Sequence, residues 1–192
     1  MIFKEIDPRK LNINEYELTA RMSAPCDLGD GILAKLYGEL VSVAKPAYVA
    51  GRVELTEQNG GISIGKFNSS SKALIKLCQG CSSCIAFVAT LGIGVDRLIF
   101  KRAQISKAEA FMIDAISDAL VEALCDLAEE ELSQGFSTNG RFSPGYSDIE
   151  LSIGAELLAL TTADKTLGIK LTESGLMVPK KSVNALIPIK DV

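Results

Sequence analysis

The apolar positions change period several times along the chain, and each change predicts an element. In "IFKEID" (residues 2–7) apolar and charged residues trade places, which predicts a short strand closed by Pro8. From about Asp30 to Ala44 the spacing is helical, with Leu33, Leu36, Leu40 and Val43 on one face and Pro46 just beyond. "AYVAGRVEL" and "GISIGKF" predict two strands. The "QNGG" between them (58–61) predicts a hairpin, because Asn-Gly accepts the positive φ of a tight turn. "NSSSKALIKLCQG" predicts a short helix, with a serine near its N-cap and Gly80 past its end.

"CIAFVAT" (84–90) is apolar without alternation, as a strand buried on both faces would be. A glycine-containing turn and a helix follow in "LGIGVDRLIF". The longest pattern spans roughly 106–134, with Phe111, Ile113, Ile116, Leu120, Leu124 and Leu127 in one stripe. "IGAELLALTTADKTLG" predicts one more helix, ended by Gly168. "IKLTES" (169–174) and "KSVNALIPI" (181–189), joined across "GLMVPK", predict two closing strands. Hairpins and mixed element order, without repeats or linkers, indicate an α+β fold in a single domain over residues 1–192.

Composition narrows the function. The 192 residues are 47% hydrophobic and 23% charged, which suits a well-buried globule. The net charge is −4 and the basic residues are not massed, which speaks against nucleic acid or an anionic membrane surface as partner. No apolar run approaches the ~18 residues of a membrane span, and "MIFKEIDPRK" has no signal-peptide core. Five cysteines, an odd number, fit reduced thiols, so a cytoplasmic location is expected. There is no histidine. That removes Ser-His-Asp and Cys-His catalysis, histidine-bearing zinc sites and axial imidazole ligation together.

Four stretches carry candidate chemistry. Cys78, Cys81 and Cys84 in "CQGCSSC" have a spacing that can wrap a metal, although position 88, where a fourth thiolate would stand, is Val. Cys78 also falls on the apolar side of a helix and Cys84 opens a buried strand, so the alternative is small core residues. "ATLGIGVD" sits where a phosphate loop would, but lacks its further Gly and Lys. A tight turn passing close to a neighbour is the plainer reading. Asp114, Asp118, Glu122 and Asp126 recur at four-residue spacing on the long helix, as a solvated stripe would. Glu122 stands apart because "LVEALC" surrounds it with apolar neighbours, and Arg141 beyond the helix could answer it. In "RFSPGYSD", Pro144 and Gly145 make a bend with exposed backbone beside a planar guanidinium. Such a group can hold a carboxylate in two bonds, or it can serve only a structural salt bridge.

Taken together, "RFSPGY" (Arg141 to Tyr146), "LTES" (Leu171 to Ser174), Met177 to Pro179, and Ser182-Val183 resemble the activation domain of cobalamin-dependent methionine synthase. The likeness is specific over about 111–187, with "LVEAL" similar to the family's "LAEAF". Upstream it is to short, free-standing members of the family. It implies a C-shaped α+β domain with an antiparallel or mixed sheet and long flanking helices. Such a domain binds S-adenosylmethionine in a shallow groove and supports reductive remethylation of oxidised cobalamin, with flavodoxin or a related protein as electron donor.

Carried over by motif, Arg141 would hold the methionine carboxylate and Glu122 would be a second contact. Phe142, Ser143 and Pro144 would supply main-chain contacts within the motif completed by Gly145 and Tyr146. Glu173 would lie near the groove. No catalytic residue and no metal ligand is implied. The family's "GYPACP" reads "GYSDIE" here, and its N-terminal "DW"-type acidic contact and C-terminal aromatic contact have no counterpart in the sequence. The expectation is an accessory component acting in trans on a methionine synthase or other corrinoid protein that holds the cobalamin. The alternative is a module that binds a corrinoid protein and caps or releases its cofactor without methyl transfer.

Overall fold

The apolar run at 84–90 lies in an inner strand of the sheet. The computed structural model describes residues 1–29, 31–58 and 60–190, with the main chain alone at Gln58. β1 (Ile2–Glu5), β2 (Ala47–Gln58), β3 (Gly61–Ile64), β4 (Phe67–Ser69), β5 (Cys81–Thr90) and β8 (Ser182–Lys190) form an antiparallel sheet in the order β4-β3-β2-β5-β8. β1 also pairs with β2, over Ala47–Ala50. β5 therefore has a strand on both sides, and Cys84, Phe87, Val88 and Ala89 are fully buried.

Helices cover both faces, which is why this strand could not alternate. On one face lie α1 (Glu15–Met22), α2 (Gly31–Val43), α4 (Ile93–Ala103) and α5 (Lys107–Leu132), packed on Tyr48, Ala50, Phe87, Ala89 and Ile187. On the other, α3 (Lys72–Leu77) and α6 (Ile153–Thr161) meet Cys84, Ala86 and Leu186. Ile113, Ile116, Leu120 and Leu124 of α5 are fully buried. Each contributes roughly 2 kcal/mol of transfer free energy. Ser106 caps this helix by accepting from the Glu109 N–H at 3.2 Å.

Several expectations need correction. Phe111 is not in the buried stripe: its side chain is 57% exposed. It precedes Ile113 by two positions, roughly 200° around the helix. The first strand ends at Glu5, and Pro8 opens a 3-10 turn capped by Asp7. The helix expected over "IGAELLALTTADKTLG" is broken: Thr162 adopts φ 54° between α6 and α7 (Ala163–Thr166). The last two strands do not pair with each other. β6 (Lys170–Leu171) and β7 (Met177–Val178) make their own small hairpin, while β8 joins β5.

The hairpin expected at 58–61 is present as β2 pairing β3, with Asn59 outside the described residues. Helix α2 begins at Gly31, and Asp30 also lies outside them. The turn at 92–94 is tight: a Cβ at Gly94 would lie 2.5 Å from the Val43 carbonyl oxygen. Glycine is needed there for close helix packing, and the turn has no need of a phosphate to explain it.

Candidate functional site

Arg141 reaches helix α5 by way of the outer edge of β8. Thr138 bridges to Ile189 and Phe142 to Leu186, and the Lys190 N–H donates to the Ser137 carbonyl at 2.8 Å. Phe142 and Leu186 exchange main-chain hydrogen bonds of 2.8 and 2.7 Å. Successive side chains of extended backbone point to opposite sides. Phe142 thus packs into the core on the α3–α6 face. Arg141 faces α5, where Nη2 donates to Glu122 Oε2 at 2.9 Å. Nη1 donates to Asp126 Oδ1 at 2.9 Å and to Glu129 Oε2 at 3.4 Å.

A guanidinium has five N–H donors. These three bonds leave Nε–H and one N–H of Nη2 without a partner among the described residues. The side chain is 18% exposed. Burial opposes its charge, but the Asp126 hydrogen bond and attraction to Asp126 and Glu122 help to outweigh this and raise its pKa. It stays cationic at any working pH. Burial, in turn, pushes the Cys125 thiol up to about 12.

A cleft of about 340 Å³ opens beside this cluster, lined by Glu122, Arg141, Phe142, Ser143, Tyr146 and Val183. The bend that shapes it is built from sequence chemistry. Gly145 takes φ 89° and donates its N–H to the Ile149 carbonyl at 3.0 Å, and the Ile149 N–H returns to Tyr146 at 3.1 Å. Tyr146 is left 70% exposed.

The "SDIE" segment then anchors the bend. Asp148 accepts from Ser71 Oγ at 2.6 Å and from the N–H groups of Lys72 at 2.7 Å and Ala73 at 3.2 Å. It shares the N-terminus of α3 with the Ser71 cap. Those bonds, led by Ser71, hold its carboxyl below the usual range.

Among the residues singled out from sequence, the structure brings Glu122, Arg141, Phe142, Ser143 and Tyr146 to this one cleft. Pro144 is buried and does not line it, and Gly145 is in the bend. The Phe142 N–H is consumed by Leu186, so the main-chain N–H groups open to a ligand begin at Ser143. Glu173 is exposed in the turn between β6 and β7 and does not line the cleft.

The acidic stripe on α5 is ion-paired, contrary to the solvated default. Lys181 Nζ lies 2.8 Å from Asp114 Oδ1 and 2.6 Å from Asp118 Oδ1, and Arg21 stands 3.7 Å from Asp118. Sequence reading missed Glu129 and Lys181, and carried Val183 only within the family motif, not as a cleft residue. The i, i+4 row of acids with cations far along the chain was the available signal.

Cys78 and Cys84 are buried in the α3–α6 core. Burial is the main cause that raises both thiols, with Cys81 next for Cys78, which reaches about 12, and Cys78 next for Cys84. They are protonated apolar fillers at neutral pH. Among the described residues no three His, Cys, Asp or Glu side chains converge as a metal site needs. Nor is any described helix long and apolar enough to cross a membrane.

Residues 65–190 match the family model of the vitamin B12-dependent methionine synthase activation domain. The chain belongs to this family. The resemblance drawn from residues 141–146 and the segments after 171 is therefore borne out, and the match begins well before residue 111. The activation-domain fold is also seen by superposition on a crystal structure of the MetH reactivation domain bound to AdoHcy. That structure is 18% identical, with a TM-score of 0.73, covering 98% of this chain and 78% of the other. No curated protein matches the chain.

Proposed function

We propose that residues 1–192 form one cytoplasmic activation-domain unit that holds S-adenosylmethionine in the Arg141 cleft. It acts in trans on a cobalamin-dependent methionine synthase or another corrinoid protein. The observation that carries this is the cleft itself, where a cation with two unused donors stands beside a partly exposed carboxylate. The two free N–H groups of Arg141 suit the ligand's carboxylate, and Glu122 suits its ammonium or sulfonium charge. Ser143 offers main-chain contacts, and Tyr146 offers an aromatic face to the flat part of the ligand. Kinship supports the same reading, because the similar MetH structure carries AdoHcy.

When bound, S-adenosylmethionine supplies the methyl group, and a donor such as flavodoxin supplies the electron to the partner's corrinoid. The residues of this chain bind and orient; none takes a proton or forms a covalent bond. The contribution to rate is positional. Glu173 joins the site only through the ligand or the corrinoid protein. Calorimetric titration with S-adenosylmethionine, alone and with a corrinoid protein present, is the test. Binding heat is expected, and its absence in both titrations overturns the reading.

A second reading has one observation in its favour. Three carboxylates already answer Arg141, so its positive charge is balanced without a ligand. On that reading the chain caps a corrinoid protein or releases its cofactor without methyl transfer. Co-elution with the corrinoid protein, without heat from S-adenosylmethionine, would select it.

A further inference from the structure

The sheet face covered by α5 is left open where that helix ends. β2 continues to Gln58, but α5 stops at Leu132 and the chain turns away through Phe136 to the β8 edge. β1 pairs with β2 only as far as Ala50, and β3 pairs from Leu55 onward. Between these limits lies a cleft of about 410 Å³, floored by Ala50, Gly51, Ile85 and Ile189 and walled by Leu132 and Phe136. That volume lies within the range of small-ligand sites.

Two charged side chains border it, and their circumstances differ. Glu131 is already satisfied: Lys4 Nζ lies at 2.5 Å and the Tyr48 hydroxyl donates at 2.6 Å. The Lys4 bond first, then Tyr48, holds its carboxyl below the usual range. Arg52 has no carboxylate within ion-pair distance among the described residues. Its Nε donates to Ser83 Oγ at 3.0 Å, and its guanidinium carbon stands 5.5 Å from the centre of the Phe136 ring. Stacking and the serine bond fix the group's orientation and leave its terminal N–H groups without a partner among the described residues. The anion at the cleft is thus neutralised, and the cation is not.

We propose that this cleft binds a small organic carboxylate with an apolar body. The body lies on Ile85, Leu132 and Ile189, and the carboxylate meets Arg52. The cleft shares no lining residue with the one at Arg141, so the inference stands apart from the proposed function.

Decanoate, decanol and decylammonium are suitable probes, titrated calorimetrically into the full chain, the ions below their micelle concentrations and decanol below its solubility. Decanoate is expected to bind at least about tenfold more tightly than either of the others, as one charge-assisted hydrogen-bond pair would give. Arg52→Gln should bring decanoate to the level of decanol and leave any S-adenosylmethionine titration unchanged. Phe136→Ala should weaken both decanoate and decanol, with circular dichroism verifying the fold of each variant. Equal affinities for decanoate and decanol, an unaffected Arg52→Gln, or no heat at about 1 mM decanoate would each overturn the proposal.

Discussion

Helix α5 meets two cations along one acidic row, and they serve different ends. Lys181 sits at the start of β8, 9% exposed, with Asp114 and Asp118 at 2.8 and 2.6 Å and the Asp114 carbonyl at 3.2 Å. No cleft adjoins it among those described above. Arg141 comes from a loop, meets Glu122, Asp126 and Glu129, and faces open volume. An enclosed ammonium spends its donors on protein. A planar guanidinium at a cleft keeps some for a ligand. Ion-pair count alone does not separate a strut from a site; the donors left over do.

The sharpest way to break this comparison is to remove each cation in turn. Lys181→Met should cost about 1–2 kcal/mol in urea unfolding, because Asp114 and Asp118 lose the cation they share while staying partly solvated. It should leave affinity for S-adenosylmethionine within about twofold, since Lys181 makes no bond at the cleft. Arg141→Ala should do the reverse. It is expected to weaken S-adenosylmethionine by about 2 kcal/mol, roughly thirtyfold, because the ligand's carboxylate loses its charged donor. If both variants lost only stability, Arg141 would be a strut like Lys181.

The smallest effect concerns the anchor of the cleft. The Asp148 carboxyl is depressed in the folded state, so its contribution is fully present above the unfolded value of about 3.9. That contribution is lost as pH falls through the lower folded value. Asp148→Asn should lower Tm slightly at pH 7 and lose less than the parent chain when scanned from about pH 4 downward. Parallel Tm profiles would remove Asp148 from the role of anchor.

Much of the fold was legible because the signals were local. Ser71 and Gly80 bracket α3, Ser106 opens α5, and β5 announces burial on both faces by its unbroken apolar run. Phe111 was misjudged because a helical wheel says which residues share a face, but not where that face's border falls. The break at Thr162 follows no glycine or proline. The Thr161 hydroxyl bonds back to the Leu157 carbonyl at 2.7 Å while Thr162 turns left-handed, a choice made by packing. "SDIE" looked like a departure from the family motif, yet Asp148 holds α3, 77 positions away from Ser71.

Most helix and strand segments, the bend at Pro144-Gly145, the lack of imidazole chemistry and the likeness to an activation domain could be read from the chain alone. Each of these rests on spacing or residue type within a short window. Only the tertiary structure decided that Arg141 has three carboxylate partners, that Lys181 closes the other end of the same row, and that Glu173 stands off the cleft. Those outcomes depend on which chain segments β8 and α5 bring together. Electrostatic energy falls within a few ångströms, whereas separation along the chain is no guide to it.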